Sequence, residues 1–204
     1  MKTVLLHGLG QTAQDWDAVI QQVSLKEIDS PELFTLPEGN LTYSAILAGL
    51  EKRYEDEKEP FGICGLSLGA MLALDYAIRH KNKVSSLALI GAQYKSPTLL
   101  IDFQNLIFLC MPRKAFETMG ITKCEMIRLS RSMRSLDFTS GLKDISCPAT
   151  IICGEKDHAN LKAARRLKEL LPQAKLHIIP GAGHEINKTV PEAISVILGS
   201  LGME

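Results

Sequence analysis

Short runs of consecutive apolar residues alternate with longer amphipathic stretches along nearly all of this chain. Residues 2–6, 32–36, 61–65, 84–90, 149–153 and 175–179 read as six strands. Several are apolar at successive positions rather than at every second one. A strand reads that way when both its faces are covered, as in a parallel sheet. The intervening segments carry helical spacing: Trp16, Val19, Ile20 and Val23; Ile46, Leu47 and Leu50; Leu161, Ala164, Leu167, Leu170 and Leu171; and Val190, Ile194, Ile197, Leu198 and Leu201. Thr12 and Thr42 stand where helix N-caps are expected, and Pro172 where the third helix must stop. Repeated strand–helix–strand units predict an α/β architecture: a doubly wound, mostly parallel sheet of about six strands with helices on both faces.

One segment breaks the rhythm. Residues 96–136 offer no strand but two helix-like patches, at 99–110 and 124–133. A stretch this long between strands is usually functional. The expectation is a small helical lid inserted in a core made of residues 1–95 and 137–204.

The 204 residues suit one domain, and 23 basic against 23 acidic side chains leave no formal charge. Nothing in that balance calls for a nucleic-acid or membrane-surface partner. The expected partner is a small-molecule substrate, and the expected state a monomer or homodimer. The apolar run at the amino terminus is too short for a signal peptide core, and no stretch has the ~18 apolar residues of a membrane span. Five scattered cysteines, with no C-x-x-C pair, argue against disulfides and zinc. Cys64 and Cys153 lie in strand-like runs, as buried thiols do. These features fit a reduced, cytoplasmic compartment, and no metal or other cofactor is implied.

Chemistry concentrates at strand ends. Gly65-x-Ser67-x-Gly69 follows the run at 61–65 and opens an Ala- and Leu-rich helix. A nucleophile elbow needs that context, because the Ser occupies a strained turn that projects its hydroxyl above the sheet. Side chains at the two glycines would collide with neighbouring backbone. His7-Gly-Leu-Gly-Gln follows the first strand. Acyl transfer needs two N–H donors for the oxyanion, and the backbone amides of Leu9 and Leu68 are the candidates. A phosphate loop is the rival reading, but neither a Lys-Ser/Thr ending nor a G-x-G-x-x-G is present. Asp157 ends the strand at 149–153 through a Gly turn, and His184 sits in the glycine-rich loop after 175–179. A hydroxyl needs a base to take its proton, and the base needs a carboxylate to fix its tautomer. The candidate triad is Ser67, Asp157 and His184, in the chain order expected of a nucleophile-elbow hydrolase.

Other residues carry alternatives. Asp137 and Asp144 are rival acids, though neither directly follows an apolar strand. His158 adjoins the acid, while His80 and His177 read as surface or packing residues. His7 and Trp16 stand where they could line the substrate pocket, and Trp16 equally reads as a helix-face core residue. Residues 95–136 hold seven cationic against three acidic side chains. Arg128, Arg131 and Arg134 are therefore candidates to favour an anionic substrate, against the plain reading of a solvated helix face.

Taken together, the four motifs resemble those of the α/β-hydrolase superfamily, of the compact esterase and meta-cleavage-hydrolase kind, and span positions 7 to 185. The resemblance implies a variable cap where 96–136 falls. It also implies one departure: the sequence begins on the strand that the family counts third, without the family's amino-terminal hairpin. The function it implies is cleavage of a carboxylic ester or thioester through an acyl-serine. Two alternatives stay open. One is a lyase like the 2-succinyl-6-hydroxy-2,4-cyclohexadiene-1-carboxylate synthases, which use the same triad. The other is a slow-turnover small-molecule receptor of this fold.

Overall fold

The computed structural model describes residues 1–117 and 119–201. Thr118, inside the predicted lid, and residues 202–204, at the end of the predicted core, lie outside the described residues. The chain forms two compact units. The first comprises Met1–Pro31, Glu57–Tyr94 and Phe138–Glu204, and the second Glu32–Asp56 with Lys95–Asp137.

The first unit holds one six-stranded sheet. Its strands are β1 (Lys2–Leu6), β2 (Glu27–Asp29), β3 (Phe61–Leu66), β4 (Val84–Ile90), β5 (Ala149–Gly154) and β6 (Lys175–Ile179). They run in the order β2-β1-β3-β4-β5-β6, and every pairing is parallel. All residues of β3 and β5 are buried, whereas the edge strands β2 and β6 have none that are. That contrast explains the continuous apolar runs at the centre of the sheet.

Five of the six predicted strands form. The segment 32–36 does not: Leu33–Thr35 is a single 3-10 turn, and the edge strand is Glu27–Asp29 instead. Pro31 and Pro37 bracket the failed segment and lack the N–H groups a ladder requires. The true edge strand, Glu-Ile-Asp, is too short and too charged to read as one. It pairs with β1 only through Lys2↔Glu27, Thr3↔Ile28 and Val4↔Asp29.

Helices cover the sheet. A 3-10 turn (Ala13–Trp16) leads into α1 (Asp17–Ile20), and near the carboxyl end lie the single turn α8 (Ile186–Thr189) and α9 (Pro191–Ser200). Leu5, Cys64, Leu66, Ala88, Ile90 and Ile152, spaced by two along their strands, share a buried cluster with Trp16, Val19, Ile194, Ile197 and Leu198. The alternate strand positions, Val4, Leu6, Ile63, Leu87, Leu89 and Ile151, are buried as well. Helix α3 (Leu68–Arg79) packs on β1, β3 and β4, and α7 (His158–Leu170) packs on β5 and β6. Buried this way, the Cys64 thiol has its pKa pushed up, and all five cysteines are free.

In the second unit, α2 (Tyr43–Arg53) starts at Thr42, whose hydroxyl accepts the Ala45 N–H at 3.2 Å. Helix α4 (Thr98–Cys110) ends where the Lys123 ammonium donates to the carbonyls of Leu109 (2.6 Å) and Met111 (2.8 Å). A single turn, α5 (Lys114–Glu117), precedes α6 (Lys123–Ser132). Glu125 accepts the Thr122 N–H at 2.7 Å and closes a capping box. Tyr43 N–H donates to the Ser132 hydroxyl at 2.8 Å and ties α2 to α6. No helix among the described residues is long and apolar enough to cross a membrane.

Candidate active site

Between β1 and β3 the strand order reverses, β2 lying to one side and β4 to the other. Ligands of parallel sheets bind in the crevice opened at such a switch point, at the carboxyl ends of the strands. The loop after β1 and the turn after β3 both leave the sheet there.

Ser67 links β3 to α3 with φ 55° and ψ −110°, and it is the only non-glycine residue at positive φ among the described residues. Strain of this kind persists only where the surroundings impose it. Its N–H donates to Ile90 O of β4 at 2.9 Å, and its carbonyl accepts the Met71 N–H at 3.0 Å. The flanking glycines are what backbone contact demands. A Cβ on Gly65 would lie 2.2 Å from Gly69 C and O, and one on Gly69 would lie 2.1 Å from Leu6 O. Leu68 opens α3, so its N–H has no carbonyl one turn earlier in the helix.

After β1, Gln11 N–H donates to Gly8 O at 3.2 Å and closes a turn in which Gly10 holds φ 84°. Left-handed φ at that third position is the glycine-dependent form of such a turn. Gly8 N–H is taken by the Gln11 side-chain oxygen at 3.1 Å, and Leu9 lies at the tip. Gln11 and Asn187 had no role in the sequence reading, yet both are buried and bonded to each other. Gln11 Nε2 donates to Asn187 Oδ1 and to Glu185 Oε1, each at 3.2 Å, and Asn187 Nδ2 donates to Asp15 O at 3.0 Å. These bonds join the loop after β1 to the segment just beyond His184. His-Gly-Leu-Gly-Gln displays Gln11 in the sequence, but nothing local announces Asn187.

The acid and the histidine come from adjacent strands. Asp157 follows β5 at the head of α7, and His184 lies in the loop after β6. These loops are pressed together: a Cβ on Gly154 would meet Gly183 O at 2.1 Å, and Lys156 N–H donates to Ala182 O at 2.9 Å. His184 Nδ1 stands 2.7 Å from Asp157 Oδ2. With the proton on Nδ1 and donated to the carboxylate, Nε2 is left able to accept one. Asp157 is buried, whereas 38% of the His184 side chain is exposed. Burial pushes the Asp157 pKa up, but hydrogen bonds from His184 and Asn160 more than offset it, leaving the carboxyl below its ordinary value. Asn160 Nδ2 lies 2.9 Å from each Asp157 oxygen and was absent from the sequence reading. The signal for it was the Asp-x-x-Asn spacing at a helix start.

Gly91, just beyond β4, closes the space around the pair. It holds φ 57°, its N–H donates to Ile152 O at 2.8 Å, and a Cβ there would lie 2.9 Å from His184 Cε1. The adjoining Ile90 carbonyl is the one bonded to Ser67, so the imidazole and the Ser67 backbone border the same step of β4. Gly91→Ala should therefore displace the ring, and the proton resonances of the His184 imidazole should shift with it. Unchanged His184 ring resonances would show that the ring tolerates the methyl group.

The other expected residues fall elsewhere. Trp16 does not wall a pocket: it is wholly buried beside Leu5, Leu66 and Ile186, because its helix turns the indole into the layer under the sheet. His7 is also fully buried, its Nδ1 donating to Gly8 O at 3.0 Å, so it shapes the turn rather than presenting a surface. Asp137 pairs with Lys95 and Asp144 with Lys81, each at 2.9 Å. His80 stacks on Tyr76, His158 is exposed, and His177 lies on β6. In the second unit, the Arg134 fork is occupied by Asp102, at 2.9 and 3.0 Å, rather than open to an anionic ligand. Arg128 donates to Asn40 at 2.8 Å, and Arg131 lies exposed on α6.

The fold of this chain is shared with known structures. A carboxylesterase structure from Nitrososphaera gargenis superposes with a TM-score of 0.84 at 18% identity, covering 99% of this chain and 90% of that one. An esterase from Exiguobacterium antarcticum gives 0.82 at 16% identity, with coverage of 98% and 91%. A thermophilic esterase from Thermogutta terrifontis gives 0.77 at 19%, with 98% and 88%. Over 68 residues the chain is 28% identical to a proline iminopeptidase of Heyndrickxia coagulans, a stretch covering 33% of this chain and only 24% of that protein. The model of the alpha/beta hydrolase family matches residues 3–195, nearly the whole sequence, and the chain belongs to that family.

Proposed function

We propose that the protein is a serine hydrolase that cleaves a carboxylic ester or thioester with a small to medium acyl group. The observation that carries this reading is the strained backbone of Ser67 at the sheet's switch point. In this mechanism the Ser67 hydroxyl attacks the acyl carbonyl while His184 Nε2 takes its proton. The Leu9 and Leu68 amides donate to the developing oxyanion. His184 returns the proton to the leaving alcohol or thiol, which departs as the acyl-Ser67 ester forms. Water, deprotonated by the same imidazole, then releases the acid. Asp157 stays ionised throughout and holds the imidazole by Nδ1.

A fluorophosphonate probe with mass-spectrometric mapping tests the reading, together with a panel of p-nitrophenyl esters and acyl thioesters of graded length. The expected result is one label, on Ser67, and saturable turnover that is lost as labelling proceeds. Tight binding of an ester with neither label nor turnover would replace the hydrolase by a receptor of the same fold.

A further inference from the structure

We propose that Asn160, itself oriented by Gln93, is a positioning residue that fixes the Asp157 carboxylate against the His184 ring. Asn160 lies in the first turn of α7, three residues beyond Asp157. That spacing returns its side chain over the acid. Only 8% of the residue is exposed. Its Nδ2 stands 2.9 Å from both Asp157 oxygens and 3.2 Å from His184 Nδ1. Because the Nδ1 proton points to Asp157 Oδ2, the amide protons of Asn160 serve the carboxylate. A buried carboxylate with several lone pairs and one imidazole donor needs such partners.

The direction of the amide decides the matter, since a reversed Asn160 would set its carbonyl oxygen against the carboxylate. Gln93 fixes that direction. Its Nε2 donates to Ala159 O at 3.2 Å and to Asn160 Oδ1 at 2.7 Å. A backbone carbonyl only accepts, so Gln93 must present its amino end there. Asn160 then answers with its oxygen, which turns its own amino end to Asp157. The relay is anchored at both ends on groups that only accept, so its polarity has one solution. Gln93 lies two residues beyond Gly91, so β4, β5 and β6 each deliver a part.

The kinetic part of the test rests on the serine-hydrolase reading; the spectroscopic part does not. Asn160→Ala should lower kcat on the order of 10- to 100-fold, as expected for lost hydrogen bonds to a charged group, with KM changed by less than about 2-fold. Asn160→Asp, nearly isosteric but without donors, should fall further, since it sets a second carboxylate against the first. Gln93→Glu cannot donate to Asn160 and should cost roughly 5- to 10-fold, more than Gln93→Ala. Mere packing would reverse that order, since Ala removes more contact than Glu, and the reverse order would overturn the assignment. The Gln93 pair lies on a partly exposed residue and decides the question even if the Asn160 variants fail to fold.

The second readout is the downfield proton resonance of the His184 Nδ1–H. It should be present in the wild type and shifted or broadened in Asn160→Ala and Gln93→Glu, whether or not an ester is turned over. An unchanged resonance, with kcat within about 2-fold in every variant, would refute the role of Asn160. Absent turnover and labelling in the wild type would instead count against the hydrolase alone.

Discussion

Ser67→Ala should lower kcat for p-nitrophenyl butyrate on the order of 10⁶-fold, and His184→Ala should do nearly the same. The double variant should lose little more than either single one. In the proposed mechanism Ser67 and His184 act as a unit, and removing one leaves the other without a task. Asp157→Asn should cost less, about 10⁴-fold, because the serine and imidazole remain while the tautomer is no longer enforced. The thermal midpoint of Ser67→Ala should stay close to that of the wild type. The Ser67 side chain makes no capping bond to α3, and Ala meets the same positive φ, so the substitution leaves the helix start much as it was. The two measurements together separate chemistry from folding. An active Ser67→Ala enzyme would remove the acyl-serine step, and a rate intact in Asp157→Asn would remove the carboxylate from the mechanism.

The largest effect on stability should come from Gly69→Ala. The added methyl would lie 2.1 Å from Leu6 O, 2.6 Å from Leu6 C and 2.7 Å from His7 O. All three are backbone atoms, at the end of β1 and the start of the turn that follows it. None can swing aside as a side chain would, so α3 must lift from the sheet or the turn after β1 must move. Overpacking of this kind costs on the order of 3 kcal/mol or more, a large share of a small domain's stability. Urea denaturation should show the midpoint fall accordingly, with activity lost in parallel as Leu9 and Leu68 are driven apart. Gly183→Ala is the matched control. Its Cβ would meet nothing within 4 Å, and the midpoint should hold within about 0.5 kcal/mol. Equal effects at the two glycines would show that close backbone approach is not what keeps Gly69.

The sheet was legible because burial on two faces leaves a mark that residue order preserves. Residues 61–65 are apolar throughout and 149–153 apolar but for Thr150, and they became central strands. The same rule failed at 32–36, where an apolar run is stapled between Pro31 and Pro37, and it missed Glu27–Asp29. An edge strand of three residues is made by its neighbour's hydrogen bonds rather than by its own side chains. The strained turn at Ser67 and the strand-end positions of Asp157 and His184 were readable for a related reason. Each sits within a few residues of a strand end and is marked by glycines whose need is local.

Partners that meet only in three dimensions left no such mark. Trp16 carried the helical spacing of a buried face and could still be read as a pocket wall, since periodicity says which side of a helix is apolar but not what covers it. Arg134 looked like a free cation until Asp102, 32 residues earlier, met its fork. Gln93 and Asn160, like Gln11 and Asn187, are ordinary polar residues in isolation. They become a directed relay and a latch only when packing removes water and forces each donor to find a protein acceptor.

By itself, then, the sequence determined the parallel sheet, the strained turn at Ser67 and the strand ends that carry Asp157 and His184, because apolar runs and glycine spacing act over a few residues. The tertiary structure decided which carboxylate faces His184, which way each amide points, and which of the suspected residues are buried, because those outcomes depend on contacts between segments far apart in the chain.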